Sequence, residues 1–77
     1  MTKPYVLYDK IKDRYICFGP DPQNFVAYGV TALEAATIHA AGTDVYTQKL
    51  TAIAGYYCVH LDEMQAVPVK ITVTIDE

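Results

Sequence analysis

Between residues 67 and 75 the chain alternates without a break. Val67, Val69, Ile71, Val73 and Ile75 are separated by Pro68, Lys70, Thr72 and Thr74. A period of two belongs to a strand, in which it places the branched side chains on one face and the polar ones on the other. A helix of 3.6 residues per turn cannot gather them on one side. The segment therefore needs a sheet with one buried face, and it predicts a strand over 67–75 with Pro68 at a strand start or edge. That sheet has to be built within 77 residues, a length at which folding buries only roughly 60% of the unfolded surface. One domain spanning residues 1–77 with a thin core is expected, so that a second copy or a partner protein would supply cover the chain lacks.

The other elements follow from composition and punctuation. Tyr5–Asp9 (YVLYD) and Arg14–Phe18 (RYICF) are aromatic and β-branched, and a mostly polar stretch, 10–13, joins them, which predicts a β-hairpin. Simple alternation puts Tyr5, Leu7, Tyr15 and Cys17 on one face and Val6, Tyr8, Ile16 and Phe18 on the other. Large side chains on both faces predict that both are partly covered, one by a helix and one by a partner. Residues 19–24 (GPDPQN) read as a loop, because two prolines lack donors. A short third strand is expected over Phe25–Tyr28, ended by Gly29. Thr31 and Glu34 have capping-box spacing, which predicts a helix from there to about Ala41, stopped by Gly42. Residues 45–54 carry both signals. Tyr46, Leu50, Ile53 and Ala54 fit a helical face between an Asp44 cap and a Gly55 stop, whereas Val45, Thr47, Thr51 and Ile53 favour a strand; the helix is the preferred reading. Tyr56–Leu61 (YYCVHL) reads as a strand and residues 62–65 as a polar connection.

The expected fold class is thus α+β, an antiparallel sheet of about five strands packed on one face by one or two helices, in the order β-β-β-α-(α)-β-β.

Composition closes off much chemistry. There is no Ser, and Arg14 is the single Arg, so serine hydrolase chemistry and an Arg cluster for phosphate are both excluded. The four glycines (19, 29, 42, 55) stand alone, and none forms a phosphate loop. Cys58 and His60 share a strand face, with Cys17 and His39 as further donors, but no C-x₂-C or H-x₃-H spacing supports a metal site. No metal or cofactor is expected. A Cys58 thiol paired with His39 or His60 is conceivable as a nucleophile; two reduced, buried thiols and an edge histidine are the simpler account. Asp62–Glu63 and Asp76–Glu77 read as polar turn or terminus rather than as a general acid and base. Two helices over 31–54 would resemble a helix-turn-helix, but Lys49 alone is too little for a recognition helix. No catalytic set emerges, and a non-enzymatic role is expected.

Charge and aromatic content point to a partner. The net charge is −3, divided into +2 over residues 1–19 and −5 over 20–77. That balance argues against direct nucleic-acid binding and favours a basic protein partner, including one that itself binds nucleic acid. No apolar run is long enough to span a membrane, no signal peptide is recognisable, and a cytoplasmic location is expected. Seven Tyr stand against two Phe and no Trp; a large side chain with a polar tip suits an interface. The residues expected to meet a partner are Tyr5, Tyr15 and Tyr56, with Asp62 and Glu63 as acidic contacts.

Residues 5–36 resemble the start of HicB-like antitoxins: the hairpin Tyr5–Phe18, the Pro20-Asp21-Pro22 loop, the strand Phe25–Tyr28 and the Thr31-Ala32-Leu33-Glu34-Ala35 helix start. The glycine that family carries after the loop proline is Gln23 here. The resemblance implies an antitoxin-like regulator. In format the chain is similar to small phage-encoded inhibitors such as anti-CRISPR proteins: short, acidic and without a catalytic motif. The expected function is an inhibitor that blocks a host protein through a Tyr-rich, acidic surface. A structural or oligomeric assembly subunit and the antitoxin-like regulator are the alternatives, and a homodimer is one way to cover the second sheet face.

Overall fold

Four residues of polar connection decide how the two faces of the sheet are populated. In the computed structural model, which describes residues 2–19, 26–57 and 60–71, strand β1 (Tyr5–Asp9) turns into β2 (Arg14–Phe18) with Asp9 paired to Arg14 and Tyr8 to Tyr15. With that loop length, odd-numbered residues of β1 share a face with even-numbered residues of β2. Tyr5, Leu7 and Asp9 therefore lie with Arg14, Ile16 and Phe18, whereas Val6 and Tyr8 lie with Tyr15 and Cys17. The face assignment expected from alternation alone is corrected, because alternation within each strand does not specify the register between them.

The sheet is completed by β3 (Ala27–Val30) and β4 (Met64–Pro68) in the order β3-β2-β1-β4, all neighbours antiparallel. One α-helix among the described residues, α1 (Val45–Ala54), packs on the odd face of β1. Asp44 caps it, its carboxylate accepting from the Thr47 N–H at 3.1 Å and the Thr47 hydroxyl at 2.7 Å. Tyr5, Leu7, Ile16, Ala27, Ala52, Tyr57 and Met64 form the core between helix and sheet, with Phe18, Val45 and Ile53 packed against it. The described fold is α+β with four strands and one helix, slightly smaller than the five strands and one or two helices expected.

Four expected elements differ. The predicted helix from Thr31 is a single turn of 3-10 helix, Leu33–Ala35, flanked by Ala32 with no side-chain cap. The chain then extends, because the backbone of β1 and β2 needs partners there, and tertiary hydrogen bonding overrides the modest propensity of an Ala-rich stretch. With it goes the two-helix unit over 31–54 and the helix start that completed the likeness to HicB-like antitoxins. The predicted strand over Tyr56–Leu61 is interrupted where it is described: Gly55 and Tyr56 form a turn, with Tyr56 at φ 70°, and Leu61–Glu63 is a second 3-10 turn. Cys58 and Val59 lie outside the described residues.

The predicted 67–75 strand overlaps β4 only at Val67 and Pro68, and Met64 and Gln65, read as a connection, are paired strand. The partner sets this length. β1 starts after Pro4, whose carbonyl accepts the last bond, from the Val69 N–H at 2.9 Å. Residues 72–75 lie outside the described residues. The expected third strand is likewise displaced to Ala27–Val30, so Gly29 sits within it opposite Ile16. A Cβ at Gly29 would lie 2.9 Å from the Arg14 Cβ, too close for either to stay in place.

Asp9 ties the hairpin to the chain beyond the helix. Its side chain is fully buried. One oxygen accepts from the Ile11 and Lys12 N–H groups at 3.0 and 3.2 Å, ordering the turn, and the other accepts from the Tyr57 hydroxyl at 2.7 Å. Burial alone would raise the Asp9 carboxyl, but the Tyr57 hydroxyl and the two amides outweigh it and hold it below the ordinary carboxylate value. Tyr57 is pushed the other way, by burial first and then by Asp9. Replacing Tyr57→Phe leaves a buried charged oxygen without its donor and should cost about 1–3 kcal/mol in urea unfolding. Because the folded Asp9 value lies below the unfolded one, its contribution is present above the unfolded value, near 3.8, and is lost as pH falls through the folded value. Asp9→Asn should flatten the acid limb of the stability curve.

Candidate functional site

The face of the sheet turned away from α1 carries an aromatic surface. Register places Val6, Tyr8, Tyr15, Cys17, Tyr28, Val30, Gln65 and Val67 on it. At the Val6 end it is partly covered: Leu33, Glu34 and Ile38 arch over Val6 and, with Val69 and Lys70, line a shallow groove of about 170 Å³. Val6 is buried there. Towards the hairpin turn no described element lies over the sheet in this way, and Tyr8 and Tyr15 meet as a cross-strand pair with ring centroids 5.3 Å apart. Tyr28 stands one strand further out, 46% exposed, beside Cys17.

Polar groups fix these rings. The Tyr8 hydroxyl donates to the Asp13 carboxylate, and Asp13 sits at φ 55°, a left-handed conformation that Asp adopts more readily than most residues. That bond holds the Tyr8 phenol above its ordinary value. Tyr28 is raised in the same sense, chiefly by the Cys17 thiol opposite it. On the opposite side of the turn, the Lys12 ammonium lies 5.2 Å from the centre of the Tyr57 ring. The hairpin end thus presents fixed aromatic surface with Asp13, Lys10, Lys12 and Arg14 around it.

The expected contact residues separate in space. Tyr5 is fully buried, its hydroxyl donating to the Thr43 carbonyl at 3.3 Å and accepting from the Thr43 hydroxyl at 3.0 Å. It is a core residue, which corrects its expected outward position. Tyr15 is half-buried on the open face. Tyr56 is 79% exposed, and the Ala27 N–H bond to the Gly55 carbonyl, 2.7 Å, fixes it beside the start of β3. Asp62 and Glu63 precede β4 beside the hairpin turn, where the Glu63 carbonyl accepts from the Lys10 N–H at 3.2 Å. Tyr8 and Tyr28 were not singled out by sequence reasoning, although hairpin register would have grouped them with Tyr15. The expected inward stripe of α1 is also turned: Tyr46 and Leu50 are exposed, and Ala52 is the residue fully buried.

The side chains with the chemistry of ligands or nucleophiles lie apart among the described residues. Among them, no group of three or more His, Cys, Asp or Glu side chains could hold a metal. His39 lies against Tyr5 and Phe18, which face the core, whereas Cys17 faces the open side. Cys58 and its expected pairing with His60 lie outside the described residues. No described helix is long and apolar enough to cross a membrane.

Replacing Asp13→Asn should bring the Tyr8 phenol back towards its ordinary value of 10, read as an earlier onset in an ultraviolet tyrosinate titration. Tyr8→Phe should remove the same late-titrating group. Set against known protein families, curated proteins and solved structures, the chain matches none of them.

Proposed function

We propose that this chain is a non-enzymatic protein-binding domain, an inhibitor of the kind that phages and mobile elements carry against host defences. Its contact surface is the open sheet face, Tyr8, Tyr15 and Tyr28, continued round the β3 edge by Tyr56. The observation that carries the reading is the Tyr8–Tyr15 pair on a face no described element covers at the hairpin end. Rigid aromatic area with polar tips binds proteins at low entropic cost, since each ring has only two side-chain torsions to fix. Tyr56 adds a second reason. A bulky residue at φ 70° is a strained choice at the end of a helix, where Gly is usual, and the side chain it retains there is almost wholly exposed.

Net charge selects the partner. An overall charge of −3, with Asp13 on the Tyr8 hydroxyl and Asp62 exposed beside the hairpin turn, is complementary to a basic protein surface, as on a protein that itself handles nucleic acid. The acidic corner acts on encounter, and the aromatic face on residence.

Tyr15→Ala and Tyr28→Ala should each weaken partner binding about tenfold or more, the usual scale for an aromatic anchor. Tyr56→Gly should weaken binding while leaving stability unchanged or raised, since it relieves the left-handed strain. Asp62→Lys with Glu63→Lys should slow association and reduce its salt dependence, with dissociation little changed. The partner is first captured by the wild-type chain from host lysate, then measured against these variants by surface plasmon resonance. Retention of full affinity by the Tyr15 and Tyr28 variants refutes the surface. A concentration-dependent homo-oligomer that buries these tyrosines would instead support an assembly subunit, and a salt-dependent shift of DNA or RNA an antitoxin-like regulator.

A further inference from the structure

The sheet is two ribbons joined at one end. β1 and β4 share five register pairs, β2 and β3 share four, but β1 and β2 share only two, both beside the hairpin turn. Beyond Tyr8 and Tyr15 the two ribbons are bridged by Thr37–His39. His39 exchanges two backbone bonds with Tyr5, at 2.8 and 3.0 Å; the Thr37 N–H donates to the Ile16 carbonyl at 3.3 Å, and the Thr37 hydroxyl accepts from the Phe18 N–H at 2.7 Å. Three residues thus supply the cross-links that a longer β1–β2 ladder would have made.

The bridge is anchored by one titratable ring. The His39 imidazole is 6% exposed and lies between Tyr5 and Phe18, centroids 5.1 and 4.9 Å away. Its Nε2 is buried without a hydrogen-bond partner among the described residues. From β1 the facing titratable group is the Tyr5 phenol, already bonded to Thr43; from β2 it is Phe18, which does not titrate; Thr37 and Thr43 on its own segment are uncharged. No described carboxylate stands ready to receive a proton-bearing Nε2. A neutral imidazole fits this site, whereas an imidazolium would be a buried, uncompensated charge.

We propose that Thr37–His39 is a pH-operated strap: protonation of His39 expels its ring from between Tyr5 and Phe18 and opens the sheet between its two ribbons, with the hairpin turn as the hinge. The ladders within each ribbon and the Asp9–Tyr57 bond lie outside the strap and stay closed. Burial holds the His39 value below its ordinary 6.5. The strap's contribution is therefore complete above 6.5 and is lost as pH falls through the folded value. Opening separates Tyr5 from Phe18 and tilts the ribbon carrying Tyr8 against the one carrying Tyr15 and Tyr28, so it would couple acidity to the shape of the open face.

The test is residue-resolved amide exchange by NMR on the intact chain at about pH 7.5 and about pH 5, corrected for intrinsic rates. Protection at Tyr5, Phe18, Thr37 and His39 should fall roughly tenfold per pH unit between 6.5 and the folded His39 value. The paired amides of β4 and those of α1 should hold, and the His39 ring should titrate below the ordinary 6.5. His39→Phe, which keeps an aromatic ring, should abolish the pH dependence; His39→Gln serves if that variant misfolds. Equal protection at both pH values, uniform loss over the whole chain, or unchanged pH dependence in the His39 variant overturns the strap.

Discussion

A single buried carboxylate organises this fold. Asp9 ends β1, accepts both amides of the following turn and receives the Tyr57 hydroxyl from beyond α1. A charge inside a thin core is tolerated because three donors replace the water it has lost. Those bonds fix the turn geometry, the turn geometry fixes the β1–β2 register, and the register decides which side chains of both strands face the helix. Tyr57 is held across the core face as a consequence, with Lys12 beside its ring.

The tyrosines divide according to that register. Tyr5 and Tyr57 enter the core, each with its hydroxyl bonded, while Tyr8, Tyr15 and Tyr28 collect on the face turned from α1 and Tyr56 stands at the β3 edge. The surplus that made tyrosine the leading clue to a partner thus has two uses in one small sheet. Phenols serve as core residues where a polar tip can be satisfied, and as surface where none of the described chain covers them. The acidic residues Asp62 and Glu63 precede β4 beside the hairpin turn, at the same end of the sheet as the Tyr8–Tyr15 pair.

The hairpin, the helix over 45–54 with its Asp44 cap and Gly55 stop, and the α+β class were legible in the sequence, because each rests on local chemistry. Chain segments that depend on what lies beside them were not. Thr31–Ala41 has the signals of a helix, yet hydrogen bonds with the backbone of Tyr5, Ile16 and Phe18 draw Thr37–His39 into the sheet. The alternation at 67–75 is the strongest local pattern in the chain, yet of its described residues only Val67 and Pro68 belong to β4, and the Val69 N–H bonds to the Pro4 carbonyl just before β1. In α1 the stripe of Tyr46 and Leu50 looks like a core face, but the space above the sheet admits Ala52.

The amino-acid sequence by itself determined the β1–β2 hairpin and the Asp44-capped helix with its Gly55 stop, and it removed serine and arginine-cluster chemistry by omitting the residues. Only the tertiary structure decided that Tyr5 is buried while Tyr8, Tyr15 and Tyr28 form one surface, that Asp9 is the hub, and that a histidine fills the gap between two ribbons. The reason is physical. Periodicity is a property of one strand, whereas faces, burial and hydrogen-bond completion are properties of strands in register, and that register is set by a four-residue turn closed on a buried carboxylate.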